Sequence, residues 1–167
     1  MPSYKAAEKM SLTTAQALAD KFISLINVGL GITHSEISGS IRRKEPWVGD
    51  IDLIVEGASG VLTGIRNLPS IAFKEGGDER ITVVYEGQQV NVFRAEQSYW
   101  GAMMLYLSGP TGATIAYRQK AIKKNMTLNQ LGLFDKDGKK IAGETEEGIF
   151  QALGHTMKPP ELRGKKR

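Results

Sequence analysis

Gly39-Ser40-Ile41-Arg42-Arg43, followed by Gly49-Asp50-Ile51-Asp52-Leu53-Ile54-Val55, is the stretch whose reading decides the fold. The second segment alternates until it becomes an apolar run, so it reads as a strand over 50–56. Residues i and i+2 of a strand point to one side. Asp50 and Asp52 therefore project together, and Ile51 and Leu53 project to the opposite face. Two carboxylates held side by side repel, and burial makes ionising both harder. A divalent cation relieves the repulsion, and Mg²⁺ favours one or two carboxylates together with phosphate oxygens and water. Upstream, Gly39 permits a close backbone approach, and Ser40 offers a hydroxyl. The amides of a following helix start can hold phosphate, and Arg42 and Arg43 add cations. A lone Asp-x-Asp is as easily a solvated loop. With Gly-Ser and two arginines just before it, the pattern reads as a metal–triphosphate site.

The same patterning extends outward. Ser11 or Thr13 caps a helix to about Ile26, with Leu18, Phe22, Leu25 and Ile26 at helical spacing. Strands are expected over 32–38, 50–56 and 71–74. A hairpin, Arg80–Tyr85 and Gln88–Phe93, turns at Glu86-Gly87. A short helix is expected over 61–67. After Ala95 the character becomes helical. A buried helix runs over 99–107, is broken at Gly109-Pro110, and is followed by a basic helix over 111–124. Leu128–Phe134 reads as extended, Asp137-Gly138 as a turn, and Thr145–Leu153 as a last helix. Pro159-Pro160 leads into a basic end at Lys165–Arg167. The layout is α+β: a mixed β-sheet with helices over 1–97, then a helical and β-hairpin part over 98–167.

The chain has 167 residues, enough to bury a core without staples. It has no cysteine, which excludes disulfides and zinc–thiolate sites. No stretch approaches the roughly 20 apolar residues of a membrane span, and residues 1–10 lack the apolar segment of a signal peptide. A cytoplasmic protein with no membrane partner is the expectation, or one in the host-cell cytosol or nucleoid if the source is a virus. Charge is uneven along the chain. Residues 1–110 hold 10 Lys/Arg and 12 Asp/Glu, while residues 111–167 hold 12 Lys/Arg and 6 Asp/Glu. Such asymmetry points the C-terminal part toward a polyanion. Lys120, Lys123 and Lys124 share a helix face with Arg118 close by, which suits DNA phosphates. His34 and His155 are isolated and read as packing or surface residues.

Gly39-Ser-Ile-Arg-Arg43 with Gly49-Asp-Ile-Asp52 resembles the nucleotidyltransferase signature of family X DNA polymerases. Tyr106-Leu-Ser-Gly109 resembles that family's Tyr-Phe-Thr-Gly segment. Leu128-Asn-Gln-Leu-Gly-Leu-Phe134 is similar to a run in its thumb. Glu146-Glu-Gly-Ile-Phe150 and Pro159-Pro-Glu-Leu-Arg163 resemble its closing helix and tail. The resemblance implies a nucleotidyltransferase palm and a small thumb-like subdomain, without a lyase domain, as in the compact viral members. It implies that Asp50 and Asp52 hold two Mg²⁺ ions, with Mn²⁺ as a substitute. It implies that Gly39, Ser40, Arg43 and Gly49 meet the triphosphate. Tyr106, Leu107 and Gly109 would lie under the sugar, and Thr111 and Thr114 by the incoming base. Arg118 would lie beside the template. The implied partners are gapped or primer–template DNA and a deoxynucleoside triphosphate, with the protein as a monomer.

One departure bears on the chemistry. Val90-Asn91-Val92 stands where the family carries its third catalytic carboxylate, near the primer 3′-hydroxyl. Asn91 can lend an oxygen to a metal, but it cannot accept the proton that this carboxylate helps remove. Three explanations stand open: a near-isosteric inactivating exchange, a water or another acid in the role, or catalysis traded for binding. Two rival functions follow. One is a minimal nucleotidyltransferase acting on RNA or protein, or without a template, though such forms generally lack the 106–109 and 128–134 segments. The other is a nucleotide- and DNA-binding protein with impaired catalysis.

Overall fold

A computed structural model of the chain describes residues 8–165. Residues 1–7, part of the 1–10 segment expected to lack a signal peptide, and residues 166–167 of the basic end at 165–167 lie outside them. The chain divides into two compact units, Met1–Arg94 and Ala95–Arg167, three residues before the break expected from sequence. Among the described residues, no helix is long and apolar enough to cross a membrane.

The first unit is built on helix α1 (Leu12–Ile26) and a five-stranded sheet. Ser11 caps α1, its hydroxyl accepting from the Thr14 amide at 3.2 Å; this satisfies one of the helix's orphan donors. The helix buries Ala15, Ala19, Phe22 and Ile26. Leu18 and Leu25, expected on the buried face, pack only partly. The two alanines take the inner line instead and let the helix lie close to its neighbours. Ahead of it, β1 (Met10–Ser11) pairs with β3 (Trp47–Val48).

The sheet runs β2 (His34–Ser38), β4 (Ile51–Glu56), β7 (Gln88–Arg94), β6 (Arg80–Tyr85), β5 (Ala72–Gly76). Only β4 and β7 are parallel; every other pairing is antiparallel. Period-2 alternation sorts the residues. Ile51, Leu53 and Val55 of β4, Ile81 and Val83 of β6, and Val90 and Val92 of β7 are buried with α1 and α3 (Val61–Arg66). Phe22 meets Tyr85 edge-on at 5.3 Å. Truncating a fully buried phenylalanine of this kind typically costs about 3–5 kcal/mol. The opposite face of the same strands carries Asp52, Thr82, Gln89 and Asn91.

The second unit packs α4 (Trp100–Ser108), α5 (Thr111–Lys123) and α6 (Glu146–Ala152) with three short strands. The segment Leu128–Phe134 is not one extended run. It folds back as β8 (Thr127–Asn129) and β9 (Gly132–Phe134), and β10 (Lys140–Ala142) completes an antiparallel sheet. Gly132 makes the reversal possible: at φ +143° a side chain is disfavoured, and a Cβ there would sit 2.9 Å from the Ala142 carbonyl. Gly101 allows α4 to touch backbone, since a Cβ would lie 2.2 Å from the Thr145 carbonyl carbon. Tyr117 and Phe150 stack edge to face at 5.1 Å in the core. The fully buried Arg163 closes the unit. It donates to Glu146 Oε2 at 2.7 Å and from Nε to the Lys158 carbonyl at 3.0 Å.

Candidate active site

The first unit brings its chemistry together through strand register. Asp52 of β4 pairs with Asn91 of β7, which pairs with Thr82 of β6. The three side chains thus form one row across three strands. Thr82 Oγ1 donates to Asn91 Oδ1 at 2.8 Å, and Asn91 Nδ2 donates to Asp52 Oδ1 at 3.0 Å. Asn91 therefore meets Asp52 through its nitrogen. The oxygen that a metal would take is turned to Thr82. The opposite amide orientation would set two oxygens against each other in the absence of a cation, so the hydrogen bonds favour this one. Asp50, just before β4, accepts from Gln89 Nε2 at 3.1 Å.

The other oxygen of Asp52 lies against Gly39. A Cβ at Gly39 would sit 2.3 Å from Asp52 Oδ2, and Gly39 has φ +62°. Glycine is thus required twice over, for conformation and for space. Gly39 opens α2 (Gly39–Arg42), which carries Ser40 and is followed by Arg43 at its C-cap. This helix is a single turn of four residues, too short to accumulate the macrodipole expected of a longer helix start. It offers a phosphate individual amides and the Ser40 hydroxyl. Gly49 lies in the turn before Asp50, with nothing within 4 Å of where its Cβ would be.

Electrostatics single out Asp52. Burial pushes its carboxyl above the usual aspartate range. The Asn91 hydrogen bond pulls it down, nearby Asp50 pushes it up, and Arg43 and Arg80 pull it down. Nothing in the sequence motif singles out Arg80. It sits on β6 two residues from Thr82, so strand alternation puts both on the Asp52 side. Among the described residues no cluster of three or more His, Cys, Asp or Glu forms a metal cage. The donors present are all oxygens from two carboxylates, with one Asp52 oxygen facing the glycine gap. That set fits a hard cation shared with a phosphate-bearing ligand.

The second unit carries the remaining sequence candidates. Tyr106, Thr114 and Arg118 line one small cleft together with Leu128 and Asn129. The Thr114 hydroxyl donates to the Pro110 carbonyl at 3.4 Å. Leu107 is half-buried, Gly109 precedes a cis bond to Pro110, and Thr111 opens α5 on its exposed side. Lys120, Lys123 and Lys124 stand at i, i+3 and i+4 along one face of α5, but Arg118 is not on it. Arg118 lies about 200° around the helix from Lys120, and it turns to the cleft. Lys120 and Lys124 instead gather with Lys158 about His155. Burial lowers the His155 pKa most, followed by these three lysines. Lys158 escapes a reading of the sequence because only the fold brings it to α5. Lys123, exposed on the last turn of α5, is absent from that group.

The DNA polymerase beta thumb family model matches residues 103–164. Repair DNA polymerase X of African swine fever virus (isolate Warthog/Namibia/Wart80/1980) is 29% identical over 136 residues, covering 75% of this chain and 78% of the viral one. The same enzyme from strain Badajoz 1971, Vero-adapted, is 28% identical over 137 residues with the same coverage. The solved structure of Leishmania infantum polymerase beta, a ternary P/T complex, superposes with a TM-score of 0.82 at 21% identity. That likeness covers 97% of this chain and 79% of the parasite one. The chain is similar to the family X DNA polymerases in sequence and in fold. It is a nucleotidyltransferase by class, and its viral relatives are small members of that family. The residues matched to the thumb model all lie in the second unit, while Asp50, Asp52 and Asn91 lie in the first.

Proposed function

We propose that this chain adds a deoxynucleoside monophosphate to a primer 3′-hydroxyl, with short gaps in DNA as its substrate. The 3′-hydroxyl gives up its proton to solvent water, its oxygen bonds to the α-phosphorus, the α–β phosphoanhydride breaks, and pyrophosphate leaves. The single observation carrying this reading is the pair Asp50–Asp52, with Oδ2 of Asp52 lying against Gly39, next to Ser40. Asp50 and Asp52 are the residues that would hold two Mg²⁺ ions, with Asn91 as a third donor and Mn²⁺ as an alternative. Mg²⁺, when bound, neutralises the carboxylates and the developing phosphate charge. Arg43, whose charge lowers the Asp52 pKa, is assigned to the triphosphate with Ser40 and the Gly49 backbone. In the second unit, Tyr106, Leu107, Gly109, Thr111 and Thr114 are assigned to the sugar and base of the nucleotide. Arg118, Lys120, Lys123 and Lys124 are assigned to DNA phosphates.

A second reading has one observation in its favour. Both polar ends of Asn91 are engaged, by Asp52 and by Thr82, and neither can take a proton. The protein would then bind nucleotide and DNA without efficient transfer. Primer extension on a one-nucleotide-gapped duplex, with each deoxynucleoside triphosphate in turn, separates the two. The first reading expects Mg²⁺-dependent addition of the complementary nucleotide, lost in Asp50→Ala. No extension, with Mg²⁺-dependent nucleotide binding intact, would replace it with the second.

A further inference from the structure

Asp52 is held by Asn91, and the neighbouring aspartate has a holder of its own that no motif announces. Gln89 lies two residues before Asn91 on β7, so the two amides project from the same face of the strand. Gln89 Nε2 donates to Asp50 Oδ2 at 3.1 Å. The other end of the same amide is also engaged: Lys74 Nζ donates to Gln89 Oε1 at 2.9 Å. The chain of contacts is therefore ammonium to amide oxygen, and amide nitrogen to carboxylate. It runs beside the row Thr82 to Asn91 to Asp52 and has the same polarity.

The position of Lys74 is a product of irregular pairing. Along β5, Phe73 pairs with Val83 and Glu75 pairs with Thr82, so Lys74 is the extra residue of a bulge. Such a bulge bends the strand and re-aims a side chain. In a regular strand Lys74 and Glu75 would point to opposite faces. The bulge interrupts that alternation next to the strands that carry the site.

We propose that Gln89, polarised by Lys74, is a positioning residue that fixes the Asp50 carboxylate for the metal–triphosphate complex. The inference rests on the reading of Asp50 and Asp52 as metal ligands. By occupying Oδ2, Gln89 leaves Oδ1 of Asp50 as the oxygen free to turn to a cation. The Lys74 contact makes the Gln89 N–H groups better donors, because hydrogen bonds in a chain polarise one another. It also keeps the amide in the orientation that presents nitrogen to Asp50. Residues that orient a metal ligand from behind typically contribute 10–100-fold in metal affinity or activity. Gln89 is half-buried, so its removal has little packing consequence.

The test is Mn²⁺ titration of the full chain with dATP and no DNA, following free Mn²⁺ by electron paramagnetic resonance. Gln89→Leu is expected to weaken Mn²⁺ binding about tenfold, at the low end of that range, with an unchanged melting temperature. Lys74→Met is expected to give a smaller loss, and Lys74→Arg, which keeps a donor, to restore it. The double variant Gln89→Leu/Lys74→Met should be no weaker than Gln89→Leu alone, since both act through one amide. Wild-type Mn²⁺ affinity in Gln89→Leu, while Asp50→Ala binds none, would overturn the role of Gln89 and leave the metal site standing. Additive losses in the double variant would overturn the relay. A wild-type chain that takes up no Mn²⁺ with dATP would overturn the metal-site reading and this inference with it.

Discussion

The two units solve different physical problems with different kinds of precision. The first sets two carboxylates, two amides and a hydroxyl on one sheet face, at hydrogen-bond distances of 2.8–3.1 Å fixed by strand register. The second gathers Lys120, Lys124 and Lys158 around a half-buried histidine on a helix and a following loop. Metal ligands tolerate little displacement, and the residues proposed for that role are bound to one another. Phosphate contacts act through charge at longer range, so the residues proposed for them need only share a region. A change in the first unit should therefore alter a rate or a metal affinity sharply. A change in the second should alter salt dependence or stability.

The largest expected effect lies in the first unit. Asn91→Asp should raise primer extension on gapped DNA by about 10²–10⁴-fold, the usual worth of a positioned proton acceptor. Nucleotide affinity should change far less. Equal rates for the two forms would show that another group takes the proton.

Next in size is the buried ion pair of the second unit. Arg163→Ala takes the guanidinium away from Glu146 at a site where Arg163 is fully enclosed. Removing one partner of such a pair costs about 3–5 kcal/mol, read by urea unfolding. A cost under about 1 kcal/mol, the scale of an exposed pair, would mean that water or another cation replaces the guanidinium.

The basic surface should respond more gently. Replacing Lys120, Lys123 and Lys124 with alanine should flatten the salt dependence of duplex binding. The slope of log affinity against log salt should fall by about 0.9 for each phosphate that is no longer neutralised. Lys123 stands apart from the group at His155, so Lys123→Ala alone should flatten it least. An unchanged slope in the triple variant would move the DNA surface elsewhere.

The smallest effect concerns pH and sharpens the contrast. Burial raises the Asp52 pKa in the folded protein. The folded state then binds the proton more tightly than the unfolded state does. Asp52's favourable contribution is complete below the unfolded value and is lost as pH rises through the folded one. In metal-free protein at about pH 7, well above the ordinary aspartate range, Asp52→Asn should therefore be more stable than wild type. The gap should shrink as pH falls toward about 4, near the unperturbed aspartate value. Denaturation in EDTA at several pH values checks this. A gap that grows on acidification would contradict a raised Asp52 pKa.

What sequence could and could not show follows the same division. Asp50 and Asp52 were legible because i and i+2 are neighbours on a strand whatever the sheet does. Gly39 was legible as a close-approach residue, but its partner, Asp52 Oδ2, was not. Thr82, Arg80 and Gln89 are coupled to the aspartates only through the pairing of β4, β7 and β6, and sequence does not print register. The bulge at Lys74 is invisible for the same reason. In sequence, 128–134 reads as one strand because its reversal rests on the conformation of a single residue, Gly132. In α5, helical phase separates Arg118 from Lys120, which nearness in sequence conceals.

The central claim is that Asp50 and Asp52 hold a divalent cation with a nucleoside triphosphate beside Gly39-Ser40. Binding of a fluorescent deoxynucleoside triphosphate to wild type, Asp50→Ala and Asp52→Ala, with Mg²⁺ and with EDTA, tests it most directly. The expected result is saturable binding in the wild type that requires Mg²⁺ and is abolished in each variant, with all three proteins folded. Nucleotide affinity that is the same in the variants as in the wild type, or indifferent to EDTA, would contradict it.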